Sequence, residues 1–335
     1  MRWSAATVTA PTAGASSGVE RGARIYVAGH TGLAGSAILR ALERAGHSNF
    51  PLRRHAELEL TDARAVAAFF ERERPEYVFL AAAKVGGILA NETYPADFIR
   101  ENLAVQLNVI HEAWRAGVKR LLFLGSSCIY PRDCPQPMKE EYLLSGPLEP
   151  TNRAYALAKI AGVEMCWSYN RQHGARFLAA MPTNLYGTGE SYDLQNSHVL
   201  PALLRKVHEA KQRGERQVTL WGSGRPRREF LHSDDLGAAS AFLMRLPDTE
   251  FVRLVAPATP PLINIGVGED QSIAELAALV AEVLGYDGKF VYDASKPDGT
   301  PRKLLDSSRI TALGWKPKLG LREGIALAYQ DFLQR

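Results

Sequence analysis

Residues 24–35 read Arg24-Ile25-Tyr26-Val27-Ala28-Gly29-His30-Thr31-Gly32-Leu33-Ala34-Gly35. The apolar run predicts a short strand. Three glycines, each three residues apart, predict a tight loop, and the pattern from Ser36 to about Ala45 predicts a helix. Glycine lets the backbone approach a pyrophosphate closely, and a helix N-terminus attracts its charge. A glycine-rich turn alone is a weak signal. With a strand before it and a helix after it, the stretch reads as a dinucleotide loop.

The rest of the first half repeats the alternation. Strands are expected to end near Leu52-Arg53 and near Leu60-Thr61-Asp62, and a helix carrying Val66, Phe69 and Phe70 follows. Tyr77 to Ala83 is a continuous apolar run, as expected of a strand covered on both faces. A helix over 95–116, a strand ending at Gly125, a helix over 152–173 and a strand over 177–181 complete the pattern. Alternating strands and helices predict an α/β fold with a doubly wound, Rossmann-like parallel sheet, whose ligands sit at the carboxyl ends of the strands. The second half is less regular. A helix over 198–211, strands over 218–221 and 263–267, and a helix capped by Ser272 with Glu275 predict a smaller mixed lobe. The expected division is a disordered extension over 1–22 and a dinucleotide-binding domain over 23–190 with a return near 229–265. Residues 191–228 and 266–335 form the substrate lobe.

Composition narrows the function classes. The chain has 335 residues, 46% hydrophobic and 23% charged, with a net charge of +4. So small a charge does not indicate a nucleic-acid surface. No apolar run reaches membrane-spanning length, and the first 22 residues lack the apolar core of a secretory signal. Cys128, Cys134 and Cys166 are too few and too irregular for a disulfide framework or a zinc site. They suit a reducing, cytoplasmic setting. No metal, nucleic acid or membrane partner is expected.

Three further groups of residues carry chemistry. Arg53-Arg54-His55 stands where an acidic residue would bind a ribose 2′-hydroxyl. Cations there suit a 2′-phosphate and hence NADP(H), against the alternative of a solvated basic loop. Tyr155 and Lys159 are four apart on one helix face. A neighbouring ammonium favours phenolate, which predicts a tyrosine with its pKa drawn down from about 10 toward acid–base work. Ser126, at the end of a strand, is placed to share the same substrate oxygen. With the glycine loop, these spell the Ser-Tyr-Lys triad of a short-chain dehydrogenase/reductase. Cys128 and His198 offer a thiol base and an imidazole acid for proton exchange beside a carbonyl. Spacing alone leaves open a structural cysteine and a helix N-terminal histidine. Lys206, Trp221, Arg228, Arg302 and Lys303 offer cations for a diphosphate and an aromatic wall for a base, against the alternative of scattered surface charge.

From Arg24 onward the chain resembles the GDP-L-fucose synthase family of the extended short-chain dehydrogenase/reductase superfamily. The resemblance is carried by LAAAKVGGI (80–88), NETYPADFI (91–99), LLFLGSSCIYP (121–131), LEPTN (148–152), YALAKIAG (155–162), MPTNLYG (181–187), NSHVLPALL (196–204), REFLHSDDL (228–236) and KPDGTPRKLLD (296–306). It implies epimerisation of GDP-4-keto-6-deoxymannose at C3 and C5, reduction at C4 by NADPH, and a homodimer. Ser126, Tyr155 and Lys159 form the implied triad, Cys128 the base and His198 the acid. The implied cofactor residues are Gly29, His30, Thr31, Gly32, Leu33, Ala34, Gly35, Arg53, Arg54, His55 and Asp62. To these the resemblance adds Leu124, Gly125, Ser126, Ser127, Lys159, Pro182, Thr183, Asn184, Leu185 and His198. Asn184, Lys206, Trp221, Arg228, Asp298 and Lys303 are the implied GDP-sugar ligands. A related dehydratase carries a carboxylate acid–base pair where this chain has Ser127 and Cys128. Three places depart from the family pattern: Thr31 where Arg is frequent, the stretch TGESYDLQ (188–195), and Arg153 at a position often acidic. The remaining alternatives are another nucleotide-sugar epimerase or reductase, and a non-catalytic NADP sensor. The retained Tyr155 and Lys159 weigh against the sensor.

Overall fold

A computed structural model describes residues 18–193, 198–296 and 298–335. Strand β1 (Ile25–Ala28) leads into helix α1 (Leu33–Arg44), and α2 (Ala63–Glu73) precedes β2 (Tyr77–Leu80). Helices α3 (Ile88–Thr93) and α4 (Pro95–Arg115) lead to β3 (Arg120–Leu124), and α5 (Arg153–His173) leads to β4 (Phe177–Pro182). Next come β5 (Asn184–Tyr186), α6 (Val199–Gln212), β6 (Gln217–Trp221), β7 (Arg227–Arg228) and β8 (Phe230–His232). Helices α7 (Ser233–Met244) and α8 (Asp248–Leu254) follow, then β9 (Leu262–Ile265), β10 (Gln271–Ser272), α9 (Ile273–Leu284), β11 (Lys289–Asp293) and β12 (Arg302–Lys303). The chain closes with α10 (Ser308–Ala312) and α11 (Leu321–Leu333).

Five strands form one parallel sheet in the order β1-β2-β3-β4-β9. Successive side chains in a strand point to opposite faces. Here they enter two separate cores. Ile25, Val27, Phe79, Leu122, Leu178 and Ile263 meet α1 and α7 on one face. Tyr26, Val78, Leu80, Leu121, Phe123 and Phe177 meet α2, α4 and α5 on the other. Both faces are covered, so the doubly wound α/β architecture stands as expected. A third core gathers β6, α6, α9 and α11 around Leu203, Leu220, Val280 and Ile325. The predicted capping box starts α9, with Ser272 and Glu275 bonded reciprocally.

Three local expectations need correction. No ladder forms at Leu52-Arg53; the Asn49 carbonyl accepts one bond from the Ile25 N–H at 3.0 Å. Pro51 lacks an N–H and cannot extend that pairing. Leu60-Thr61-Asp62 is a turn, not a strand end, and Asp62 caps α2 by accepting the Arg64 and Ala65 N–H groups. The fold also begins before Arg24. Val19 is buried against the first core, and Glu20 accepts the Tyr77 hydroxyl at 2.8 Å and pairs with Lys119 at 3.1 Å. The rest of the expected extension, 1–17, and the end of the atypical stretch, residues 194 and 195, lie outside the described residues.

Candidate active site

The glycine loop closes β1 onto α1. Gly29 has φ +82°, and a Cβ there would lie 2.8 Å from the Ala82 backbone. A Cβ on Gly35 would lie 2.0 Å from the Gly29 carbonyl oxygen. Both glycines are therefore needed by the protein itself. Gly32 is different: a Cβ there meets only the Gly29 oxygen, at 3.5 Å, an ordinary contact. Its bare face is open. Gly32 also caps α1 without a side-chain bond, and the first turn holds no acidic residue. The free N–H groups of this helix end suit an anion. His30 Nδ1 is buried with no partner among the described residues. These features fit a dinucleotide pyrophosphate. Thr31 is exposed, Leu33 opens α1, and Ala34 packs against the first core.

The basic stretch splits. Arg53 is committed to Glu73 at 2.5 Å and to the Leu52 carbonyl at 2.7 Å. His55 pairs with Glu59 at 2.9 Å. The Arg54 side chain is exposed, and its charge reaches His30, whose imidazole is held below its ordinary range by burial and by Arg54. Arg54 is thus the cation left to face a ligand at the loop.

At the end of β3, Gly125 packs closely under Met181: a Cβ there would lie 2.1 Å from the tip of that side chain. The chain then makes one 3-10 turn over Ser127–Ile129, so Cys128 sits on a turn and not on a plain strand end. The Ser126 hydroxyl oxygen accepts the Cys128 N–H at 3.2 Å. Ser127 is buried beneath the turn. The Cys128 sulfur accepts from Asn152 Nδ2 at 3.2 Å and from Lys303 Nζ at 3.7 Å. Both partners are donors, and the sulfur is the acceptor.

Tyr155 and Lys159 face this turn from α5. Burial raises the Tyr155 phenol above its ordinary range; the nearby Cys128 adds to this and a hydrogen bond with Ser126 opposes it. Lys159 is 3% exposed and donates to the Leu124 carbonyl at 2.8 Å. Its Nζ lies 5.8 Å from the Tyr155 ring centre, and burial pulls its pKa down to about 7. The expected phenolate is therefore reversed in the ligand-free protein. Desolvation outweighs a cation held to a backbone oxygen, and Tyr155 stays a phenol that can give a proton.

Pro182 ends β4. The Thr183 hydroxyl and the Asn184 amide donate to the Glu229 carbonyl at 3.2 and 2.8 Å, and Leu185 packs on the first core. His198 is the N-cap residue of α6 and its side chain makes no cap bond. The residue is exposed by its accessible surface, and desolvation by the protein around the imidazole lowers its pKa. It has no hydrogen bond to Cys128 or Tyr155 among the described residues.

The downstream set divides in two. Trp221 is 60% exposed, with Lys206 Nζ 5.7 Å and Lys296 Nζ 5.5 Å from its ring centre. Asp298 holds the adjoining turn by accepting the Ser223 N–H and hydroxyl at 2.8 and 2.6 Å. At the other end, β12 pairs with β7, so Lys303 stands beside Arg228. Arg228 donates to the Thr300 carbonyl at 2.6 Å. Arg302 is consumed by Asp270 and offers no free charge. Sequence reasoning missed Asn152. It lies within LEPTN, where an asparagine before a helix reads as a cap.

The family model described as "NAD dependent epimerase/dehydratase family" matches residues 25–266. The chain is 55% identical to a putative GDP-L-fucose synthase 2 of Arabidopsis thaliana, over 94% of this chain and 93% of the relative. It is 53% identical to the GDP-L-fucose synthase of Escherichia coli (strain K12), over 93% of this chain and 97% of the relative. Among solved structures, a GDP-mannoheptose C4 reductase from Campylobacter jejuni with NADP bound superposes with a TM-score of 0.85 at 41% identity. That match covers 94% of this chain and all of the other.

Proposed function

Because the chain belongs to the NAD dependent epimerase/dehydratase family, we propose that it converts GDP-4-keto-6-deoxy-D-mannose to GDP-L-fucose. It is an NADPH-dependent oxidoreductase that also epimerises its substrate. The observation that carries the reading is a thiol, Cys128, set on the same turn as Ser126 and facing Tyr155. A carbon base and two hydroxyls for a ketone share one crevice.

The Cys128 thiolate takes the proton from C3 and later from C5 of the sugar. Tyr155 and Ser126 hydrogen-bond the C4 oxygen and stabilise each enolate as negative charge moves onto it. His198 returns a proton to the opposite face of the carbon. In the final step the Tyr155 phenol gives its proton to the C4 oxygen, and Lys159 orients the cofactor and the phenol. NADPH, when bound, would supply hydride chemistry. The glycine loop would hold its pyrophosphate, Arg54 its 2′-phosphate, and the β3 and β4 ends would line its nicotinamide half. Trp221 and Lys206 take the guanosine diphosphate, with Arg228 nearer the sugar. We assign residues 191–228 and 266–335 to this substrate lobe, except that Leu305, Ile310 and Trp315 pack in the two cores of the sheet.

Among the described residues no helix is long and apolar enough to cross a membrane. We place the enzyme in the cytoplasm, as a homodimer. Leu103 and Leu107 of α4 and Leu157 of α5 are 36, 55 and 39% exposed, and they supply an apolar face for a second copy.

The test is one reaction in D₂O with NADPH and the keto sugar, followed by absorbance and product NMR. NADPH loss with deuterium at C3 and C5 and a galacto product is expected. NADPH loss without deuterium reduces the enzyme to a 4-reductase and refutes the role of Cys128. In Cys128→Ala, deuterium entry is expected to stop while NADPH still binds.

A further inference from the structure

The start of α5 holds an unusual asparagine. Asn152 closes a 3-10 turn, Pro150–Asn152, that runs straight into α5 and is capped by Glu149, which accepts the Thr151 N–H. The Asn152 side chain makes no cap bond of its own. Its Oδ1 is buried without a partner among the described residues, and its Nδ2 is spent on the Cys128 sulfur at 3.2 Å. A buried amide that leaves its oxygen unsatisfied while its nitrogen meets a sulfur is held where it is for a reason other than capping.

The second donor arrives from far along the chain. Lys303 lies 175 residues from Cys128 and reaches its sulfur at 3.7 Å. The strand that carries it is fastened on every side. Arg302 pairs with Asp270, the Leu304 N–H donates to Gln136 at 2.9 Å, and the Leu305 N–H donates to the Glu229 carboxylate at 3.0 Å. The Glu229 carboxylate is itself fully buried and also takes the Val267 and Gly268 N–H groups at 2.5 and 2.8 Å. So two short segments, one before α5 and one in β12, converge on a single sulfur.

We propose that Asn152 and Lys303 are positioning residues of the epimerisation step, holding the Cys128 sulfur in place as the carbon base beside Ser126 and Tyr155. The inference rests on the epimerase reading above. It assigns Lys303 to the thiol, not to the diphosphate. When Cys128 takes a carbon-bound proton, its negative charge passes to the enolate oxygen held by Tyr155 and Ser126. Lys303 and Asn152 then face a neutral thiol until that proton leaves.

The experiment uses the full chain. Iodoacetamide labelling of Cys128 at pH 7.5 is followed by peptide mass, which separates it from Cys134 and Cys166. Lys303→Met is expected to slow labelling about tenfold, because the ammonium 3.7 Å away no longer orients the attacking sulfur. Lys303→Arg is expected to restore most of the rate. Asn152→Ser removes the buried, unsatisfied Oδ1, so it is expected to raise the melting temperature by about 1–2 °C. The same variant is expected to cut deuterium entry at C3 and C5 severalfold. Opposite signs for stability and exchange are what a merely structural asparagine does not give. Labelling of Lys303→Met at the wild-type rate, with only KM for the GDP-sugar raised, overturns the assignment. So does Asn152→Ser with exchange unchanged. If Lys303→Met does not fold, the arginine variant and Asn152→Ser still decide. Undiminished exchange in Cys128→Ala refutes the epimerase reading itself, a different outcome from either.

Discussion

Replacing Lys159 with methionine is expected to stabilise the ligand-free protein at neutral pH while abolishing its activity. Lys159 is 3% exposed, and burial moves its pKa from 10.5 to about 7. Between those pH values the unfolded chain holds a proton at this lysine that the folded chain has released. Stability therefore rises with pH across the window, and the whole penalty is present below it. At about 1.4 kcal/mol per unit, the shift costs about 5 kcal/mol at low pH, roughly 4 at pH 7 and about 2 at pH 9. Methionine removes the charge at similar volume but leaves the Leu124 carbonyl, now bonded at 2.8 Å, without its donor. That loss costs about 1–3 kcal/mol. The net expectation is a variant more stable than wild type by about 2 kcal/mol at pH 7 and about equal to it at pH 9. Urea melts of both proteins at the two pH values measure this, and the difference between them cancels every other titrating group. A difference that stays constant between pH 7 and pH 9 refutes the argument that a buried ammonium is what Lys159 costs the fold.

Other expectations follow from the geometry of the crevice. Gly32→Ala is expected to change stability by less than about 1 kcal/mol, yet to weaken NADPH binding at least tenfold by filling the open face. Gly35→Ala, whose Cβ would lie 2.0 Å from a carbonyl oxygen, should cost about 3 kcal/mol or more, read by thermal melting. Arg54→Ala is expected to raise the Kd for NADPH about tenfold and leave NADH unaffected, because only the 2′-phosphate distinguishes them. Glu229→Gln turns an amide toward the Leu305 N–H in place of an acceptor. It is expected to lose about 2–4 kcal/mol in urea melts.

The parallel sheet was legible because its strands are uninterrupted apolar runs, and such runs need cover on both faces. The run around Asn49 to Arg53 misled for one local reason: Pro51 cannot donate to a ladder. The glycine loop was legible down to individual residues, but which glycine leaves an open face appeared only with Ala82 and the Gly29 carbonyl in place. Arg53 and Arg54 are alike in sequence and differ in fate because Glu73, twenty residues on, claims only the first. Tyr155 and Lys159 were found by their spacing, yet spacing carries no information on desolvation. Burial reversed the expected direction for the phenol. Asn152 was illegible because a helix-capping asparagine and a sulfur-binding one have the same sequence signature. The approach of Lys303 to Cys128 depends on tertiary folding alone.

The sheet divides the protein as a wall divides a house. Residues next to each other in a strand, such as Leu121 and Leu122, live in different cores. The glycine loop leans on α1 and the core it shares with α7. Tyr155 and Lys159 ride on α5, which packs with α4 in the other core. Drift in one room reaches the loop that grips an anion, and drift in the other reaches the phenol and the amine. A lineage can therefore retune its choice of cofactor without disturbing the chemistry of its acid, and alternate strand positions should record two separate histories.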